Sequence, residues 1–365
     1  MPTAVHQFLP TFAEHDAIGM HVRRLQRLLR AAGYDSEIYA DDIHDEVRHR
    51  ARPFADFRPP AGGRPWLLDH SSTGSPMAAA LCELGLPLVV DYHNITLPRY
   101  FERWEPLAAH SMRAGREQLR LLAPAASFGI ADSSFNEADL ADAGFARTAV
   151  APILVDFADY DVAPDARTLG RLRRARGPAG PHWLFVGRVA PNKCQHDVVA
   201  AFAAYRRLYA PGARLSLVGG RTSQRYWWAL EELIAELGLG GAVRLTDSLP
   251  FPELLAHYAA ADVFVCLSEH EGFCVPVLEA MRFDVPVVAL AAAAVPETAG
   301  DAAVLLPGKD PVLVAAAVDR VLGDGALRRG LVEAGRARVR HFSLAVTGKR
   351  MIDTVVSVVE APVRG

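Results

Sequence analysis

The sequence predicts an α/β protein built from two parallel-sheet domains, and three observations carry that expectation. Short apolar runs alternate with segments of helical periodicity, the pattern of βαβ units. The alternation breaks off in an irregular stretch and then restarts. The chain has 365 residues, 51% hydrophobic and 22% charged, an ordinary globular composition long enough for two cores. A cleft between two such domains is the first place to expect chemistry.

Taken in order, AVHQFL reads as a strand. MHVRRLQRLLRAAG reads as a helix, with Val22, Leu25, Leu28, Leu29 and Ala32 on one face and Gly33 as its stop. SEIYA, PWLLDH, PLVVDYH, SFGIADSS and TAVAPILV continue as strands, and Ser75-Pro76 opens a helix as N-cap and first-turn proline. These elements make an N-terminal domain over 1–155. Residues 156–180, with DVAPDART and RARGPAGP, read as a connector rich in proline, glycine and charge. HWLFVG, a helix near Val198 to Leu208, ARLSLVG, a helix through Trp227 to Leu237, AVRLT, ADVFVCL and PVVALA restart the rhythm over 181–340. FSLAVTGKRMIDTVVSVV then gives a terminal helix within 341–365, placed to pack back on the N-terminal domain.

Composition narrows the function. Acidic and basic residues nearly cancel, 42 against 39, for a net charge of -3, so no global field would hold nucleic acid. Cys82, Cys194, Cys266 and Cys274 are scattered, as expected of reduced thiols in cytoplasm, and form no metal-binding spacing. MPTAVHQFLP lacks the charge and apolar run of a signal peptide, and no apolar stretch approaches about 18 residues. A cytoplasmic protein is expected. Three lysines, Lys193, Lys309 and Lys349, stand among 36 arginines, which draws attention to each of them.

Two segments point to chemistry. In ADVFVCLSEHEGFCVPVLEAM a buried strand leads through a loop to a helix beginning near Pro276. The backbone N–H groups of Phe273, Cys274 and Val275 then lie at the positive helix end, an anion site. Glu271 in the loop and Glu279 one turn into the helix flank it. On spacing alone, Glu279 is equally a solvated first-turn glutamate and Glu271 a surface charge. In LFVGRVAPNKCQHD a strand ends at Gly187, with Arg188 and Lys193 in the turn before the next helix, where α/β sheets bind phosphates. Loop cations fit the same text. The P-loop and G-x-G-x-x-G fingerprints are missing from these turns, which argues against a nicotinamide oxidoreductase.

Together FVGRVAPNK, LVGG, LPFPELLAHYAAADVFVCLS, EHEGFCVPVLEAM and AVPETAG resemble the donor-binding domain of family 4 retaining glycosyltransferases, with Glu271 to Glu279 as the Glu-x7-Glu pattern. VHQFLPTFAEHDAIGMHV, LLDHSSTGSP and VVDYHNITLPRYF resemble acceptor-domain segments of bacterial members. The resemblance implies the GT-B fold, two Rossmann-like domains facing across a cleft. It implies Arg188 and Lys193 on the diphosphate of a sugar nucleotide, Glu279 on the ribose, and Glu271 with the backbone of Phe273, Cys274 and Val275 on the donor sugar. Gly19 would let backbone approach the phosphates, and His93 would face the reacting sugar. The sequence departs from the family in having one glycine at Ile18-Gly19 and alanines at 292–294.

The expected activity is transfer of a sugar from a nucleotide diphosphate donor to a glycan, lipid-linked or small-molecule acceptor, with retention and without metal or other cofactor. The rivals are a sugar-nucleotide epimerase and a non-catalytic nucleotide-sugar-binding protein on the same scaffold. Asp159-Tyr160-Asp161 imitates a D-x-D metal signature but falls in the connector. The stripe Arg23, Arg24, Arg27, Arg30 reads as a solvated helix face or a contact with an anionic membrane surface. Of Trp227 and Trp228, adjacent on one helix, one is expected to pack inward.

Overall fold

The computed structural model describes residues 3–13, 16–59, 63–176 and 180–361. Residues 14 and 15 ahead of Gly19, 177–179 of the expected connector and the last four of the expected terminal helix lie outside the described residues. The chain divides into two compact units: residues up to Arg99, Leu107–Asp156 and from Phe342 onward form one, and Tyr100–Pro106 with Phe157–His341 form the other.

The first unit holds β1 (Val5–Phe12), α1 (Ala17–Ala31), β2 (Ile38–Ile43), β3 (Arg52–Pro53), β4 (Trp66–Ser71), α2 (Met77–Glu83), β5 (Leu88–Tyr92), α3 (Pro106–Leu122), β6 (Ala126–Ala131), α4 (Ser134–Ala143) and β7 (Thr148–Val150). Its seven strands are parallel in the order β3-β2-β1-β4-β5-β6-β7. Strands such as Leu88–Tyr92 are buried along their whole length, which is why they read as continuous apolar runs rather than alternating ones. Asp16 caps α1 by accepting from the amides of Ile18 and Gly19.

The second unit holds α5 (Ala166–Arg176), β8 (His182–Val186), α6 (Gln195–Leu208), β9 (Arg214–Val218), α7 (Gln224–Glu236), β10 (Val243–Thr246), α8 (Phe251–Ala260), β11 (Val263–Cys266), α9 (Val275–Arg282), β12 (Val287–Leu290), α10 (Val295–Ala299), β13 (Ala303–Leu306), α11 (Pro311–Gly323) and α12 (Gly325–His341). Its six parallel strands run β10-β9-β8-β11-β12-β13. The last helix, α13 (Leu344–Val359), belongs to the first unit, where Met351, Val355 and Val358 share a core with Leu25 and Leu29 of α1.

Both sheets are doubly wound, and in each the strand order reverses between two neighbours, β1/β4 and β8/β11. The loops leaving the carboxyl ends of those strands are where such sheets bind ligands.

Residues 156–180 are not the irregular connector that their composition suggests. A 3-10 turn spans Phe157–Tyr160 and α5 follows, with Asp165 accepting from the Thr168 amide at 2.7 Å as an N-cap and α5 packing on α8. Leu172 and Thr168 are its buried face, too narrow a stripe to show as helical periodicity among five arginines.

Candidate functional site

In the second unit, the loops that leave β8 and β11 are stitched together. The Glu269 amide donates to the Asn192 carbonyl at 3.0 Å, and Asn192 Nδ2 donates to the His270 carbonyl at 3.0 Å. Across this seam Lys193 Nζ donates to Glu271 Oε2 at 2.5 Å, both side chains being largely buried. Lys309, from the turn after β13, bridges Asp197 and Glu269 at 2.5 Å each. The β8 side of the loop depends on glycine: a Cβ on Gly219, at φ +154°, would sit 2.1 Å from the Gly187 carbonyl oxygen. Arg188 lies on the same loop with an exposed side chain that takes no partner among the described residues.

The helix after the β11 loop begins at Val275, with Cys274 as N-cap in the left-handed region at φ 73° and Pro276 in the first turn. Helix geometry leaves its first amides without intrahelical acceptors. The Phe273 carbonyl accepts from Thr298 Oγ1 at 2.5 Å, and the Glu271 carbonyl accepts from the Ala294 amide at 3.3 Å. Loop and helix start are thus fixed from both sides.

Glu279 sits one turn into α9, but it is not a solvated first-turn glutamate. It is buried, and its two carboxylate oxygens accept from the hydroxyls of Tyr160 and Tyr258, the latter at 2.5 Å. Burial pushes its pKa up, and the two tyrosine bonds offset part of that rise. Tyr160 is the centre of the D-x-D imitation, and Asp161 beside it pairs with Arg282.

In the first unit Gly19 and His93 are both held by polar groups of the protein itself. The Gly19 amide is bonded to Asp16 at 3.3 Å, and a Cβ there would come within 2.3 Å of the Ala13 carbonyl oxygen. That close approach to Ala13 by itself requires glycine at this position. His93 follows β5 and is buried, with Nδ1 3.0 Å from Asp132 Oδ2 and Nε2 2.9 Å from His70 Nδ1. Both ring nitrogens are occupied. The arginine stripe is not a uniform solvated face: Arg24 is buried with its guanidinium on the Leu154 carbonyl at 2.8 Å, and Arg30 binds the Ser36 carbonyl at 2.7 Å. Trp227 packs inward and Trp228 is exposed.

Residues 176–338 match the family described as glycosyl transferases group 1. A D-inositol 3-phosphate glycosyltransferase of Frankia alni is 30% identical over 96% of this chain and 87% of its own length. The chain belongs to the group 1 glycosyltransferases. A second D-inositol 3-phosphate glycosyltransferase, from Geodermatophilus obscurus, is 32% identical over 67% of this chain but 54% of its own length, so the match spans about half of that relative. Among solved structures, Anabaena Alr3699/HepE in complex with UDP-glucose superposes with a TM-score of 0.74 at 19% identity, over 97% of this chain and 99% of that one. The fold of this glycosyltransferase is GT-B, as the resemblance implied.

Several residues around these sites escaped the sequence reading. Lys309 was marked only by the rarity of lysine, and nothing nearby in sequence pairs it with Asp197 and Glu269. Tyr160 and Tyr258 lie 119 and 21 positions from the glutamate they hold. The buried polar residues Gln7, His70, Asp91 and Asp132 carried one usable signal, polar side chains set within or just after apolar strand text such as LLDH, VVDYH and GIADSS.

Proposed function

We propose that this glycosyltransferase moves a hexosyl group from a nucleoside diphosphate donor to a hydroxyl of a glycan, lipid-linked or small-molecule acceptor, with retention at the anomeric carbon. The observation that carries the reading is the Lys193–Glu271 pair at the strand-order reversal of the second unit, beside the start of α9. In this reading Lys193 and Arg188 hold the diphosphate, at the positive end of α9, with Glu271 and the backbone of Phe273, Cys274 and Val275 against the donor sugar and Glu279 on the ribose. The anomeric C–O bond to the β-phosphate breaks while the acceptor oxygen forms the new bond on the same face. The acceptor proton goes to the departing phosphate oxygen. The protein's contribution is positioning and stabilisation of leaving-group charge.

The likeness to a protein bound to UDP-glucose supports the donor class, and the names of the relatives support a small hydroxylated acceptor as one option. His93 faces the reacting sugar, and Gly19, in the first turn of α1, lets backbone approach the phosphates. Two basic side chains and a helix N-terminus suffice for the diphosphate, so no metal is required. A cytoplasmic location belongs to the same proposal, and no helix among the described residues is long and apolar enough to cross a membrane.

The test is incubation with UDP-, GDP- and ADP-hexoses and a panel of acceptors in excess chelator, following nucleotide release and the anomeric configuration of the product by NMR. Retention with chelator present is expected. An inverted product contradicts the mechanism. Activity that disappears with chelator and returns with Mn²⁺ contradicts the metal-free site.

A further inference from the structure

Four buried polar side chains of the first unit, Gln7, His70, His93 and Asp132, form one hydrogen-bond chain whose Gln7 end is fixed by the backbone. Gln7 Nε2 donates to the Val22 carbonyl at 3.1 Å, so Gln7 turns Oε1 towards His70 Nε2 at 2.9 Å. That nitrogen must therefore carry a proton. One proton lies between His70 Nδ1 and His93 Nε2, 2.9 Å apart, and another between His93 Nδ1 and Asp132 at 3.0 Å. The rings are nearly parallel, 5.2 Å between centroids at an interplanar angle of 7°, as an in-plane hydrogen bond between them requires. With Asp132 ionised, three protons on two imidazoles make one positive charge. Asp91 Oδ2 faces the shared proton, 3.3 Å from His70 Nδ1 and 3.6 Å from His93 Nε2.

Resting on the reading of His93 as part of the transferase site, we propose that Gln7, His70 and Asp132 are positioning residues that hold the His93 ring in one orientation as half of a singly charged His70–His93 pair. His93 then offers the site a fixed positive charge and transfers no proton to or from substrate. The charge favours the His93 ring. Burial opposes it, but Asp132, Asp91 and the more distant Asp16 push His93 up to about 9, while burial pushes His70 down to about 4. Asp69 and His21 are the remaining titratable groups facing the pair. His21 Nδ1 accepts from the Leu154 amide at 2.9 Å, which puts a proton on its Nε2, 3.0 Å from Asp91. His21, His70, Asp91 and His93 converge closely enough to surround an ion. An ion needs nitrogen lone pairs, and the hydrogen bonds already fix protons on His21 Nε2 and between His70 and His93.

Long-range ¹H–¹⁵N NMR of the imidazoles tests this without substrate or activity. The native chain should show His93 protonated on both nitrogens at about pH 7.5, and so should His70→Gln, whose amide can accept from His93 and donate to Gln7. His70→Leu removes both roles, and His93 should then lose its second proton by about pH 7, within the usual histidine range. In turnover assays His70→Leu should lower kcat about 10- to 100-fold with donor KM within about threefold, and His70→Gln should recover most of the loss. If His70→Leu does not fold, Asp132→Asn should produce the same change in the His93 spectrum. A singly protonated His93 in the native chain, an unaltered spectrum in both His70→Leu and Asp132→Asn, or a stoichiometric metal in purified protein would overturn the proposal. Loss of nucleotide binding with an intact His93 spectrum would fault the transferase reading instead.

Discussion

At the scale of single residues, the ion pair between Lys193 and Glu271 changes what substitution at Glu271 should do. A lysine held by a carboxylate must be released, at least in part, before it can serve a phosphate. Glu271→Gln should therefore leave nucleoside diphosphate affinity unchanged or raise it severalfold, while turnover falls because contact with the donor sugar is lost. Glu279→Gln should weaken free nucleotide and donor alike by about 1.5–3 kcal/mol. It should also lower the thermal midpoint, since Tyr160 and Tyr258 share its carboxylate. Calorimetry beside steady-state rates and melting curves separates the two glutamates. Asp69 offers a test of the first unit. It is buried with Ser71 Oγ donating to it at 2.5 Å, and burial pushes its pKa up to about 6. The folded value lies above the unfolded one, so its contribution to stability is present below about pH 4 and lost as pH rises through about 6. Asp69→Asn keeps the acceptor for Ser71 and cannot ionise. Urea unfolding should find it about 1–3 kcal/mol more stable than the native chain at pH 7.5, with the difference vanishing near pH 4; a less stable variant at pH 7.5 would contradict this.

At the scale of elements, the helices on either side of the stitched loops both start on a cysteine in the left-handed region, Cys194 at φ 53° before α6 and Cys274 at φ 73° before α9. An L-residue there costs about 1–2 kcal/mol relative to the right-handed region, a cost that glycine escapes. Comparing Cys274→Gly with Cys274→Ala isolates that cost, since both remove the thiol. The glycine variant should be the more stable by about 1 kcal/mol in chemical denaturation, reversing the usual order for a helix end; equal stability would mean the backbone is unstrained. The same elements show what the sequence could reveal. Strands buried on both faces, such as those at Leu88–Tyr92 and Val263–Cys266, announced themselves as apolar runs. α5 did not, because its arginines hide a two-residue buried face. β3, two residues long at an edge, had too little text to read.

At the scale of the whole molecule, the two-unit α/β plan was legible because each parallel sheet repeats the strand-then-helix rhythm. The candidate loops of the second unit were legible because Lys193 with Arg188 lies in one strand-to-helix turn, and Glu271 with Glu279 spans the loop after β11 and the helix start. The surroundings of His93 were not. Gln7, His21, His70, Asp91 and Asp132 come from four strands and a helix, or from the turns beside them, and only the order β1-β4-β5-β6 brings them together. Likewise Tyr160 reaches Glu279 from text that composition marks as connector.

If the second unit binds a nucleoside diphosphate through Lys193 beside the start of α9, calorimetric titration of UDP and GDP into the native chain and Lys193→Ala will show it. At least one nucleotide should bind the native chain with one-to-one stoichiometry and lose about 10- to 150-fold in affinity in the variant, the loss of a charge-assisted contact worth about 1.5–3 kcal/mol. Lys193→Ala binding as tightly as the native chain, or a native chain that binds neither nucleotide, would contradict a diphosphate site at Lys193.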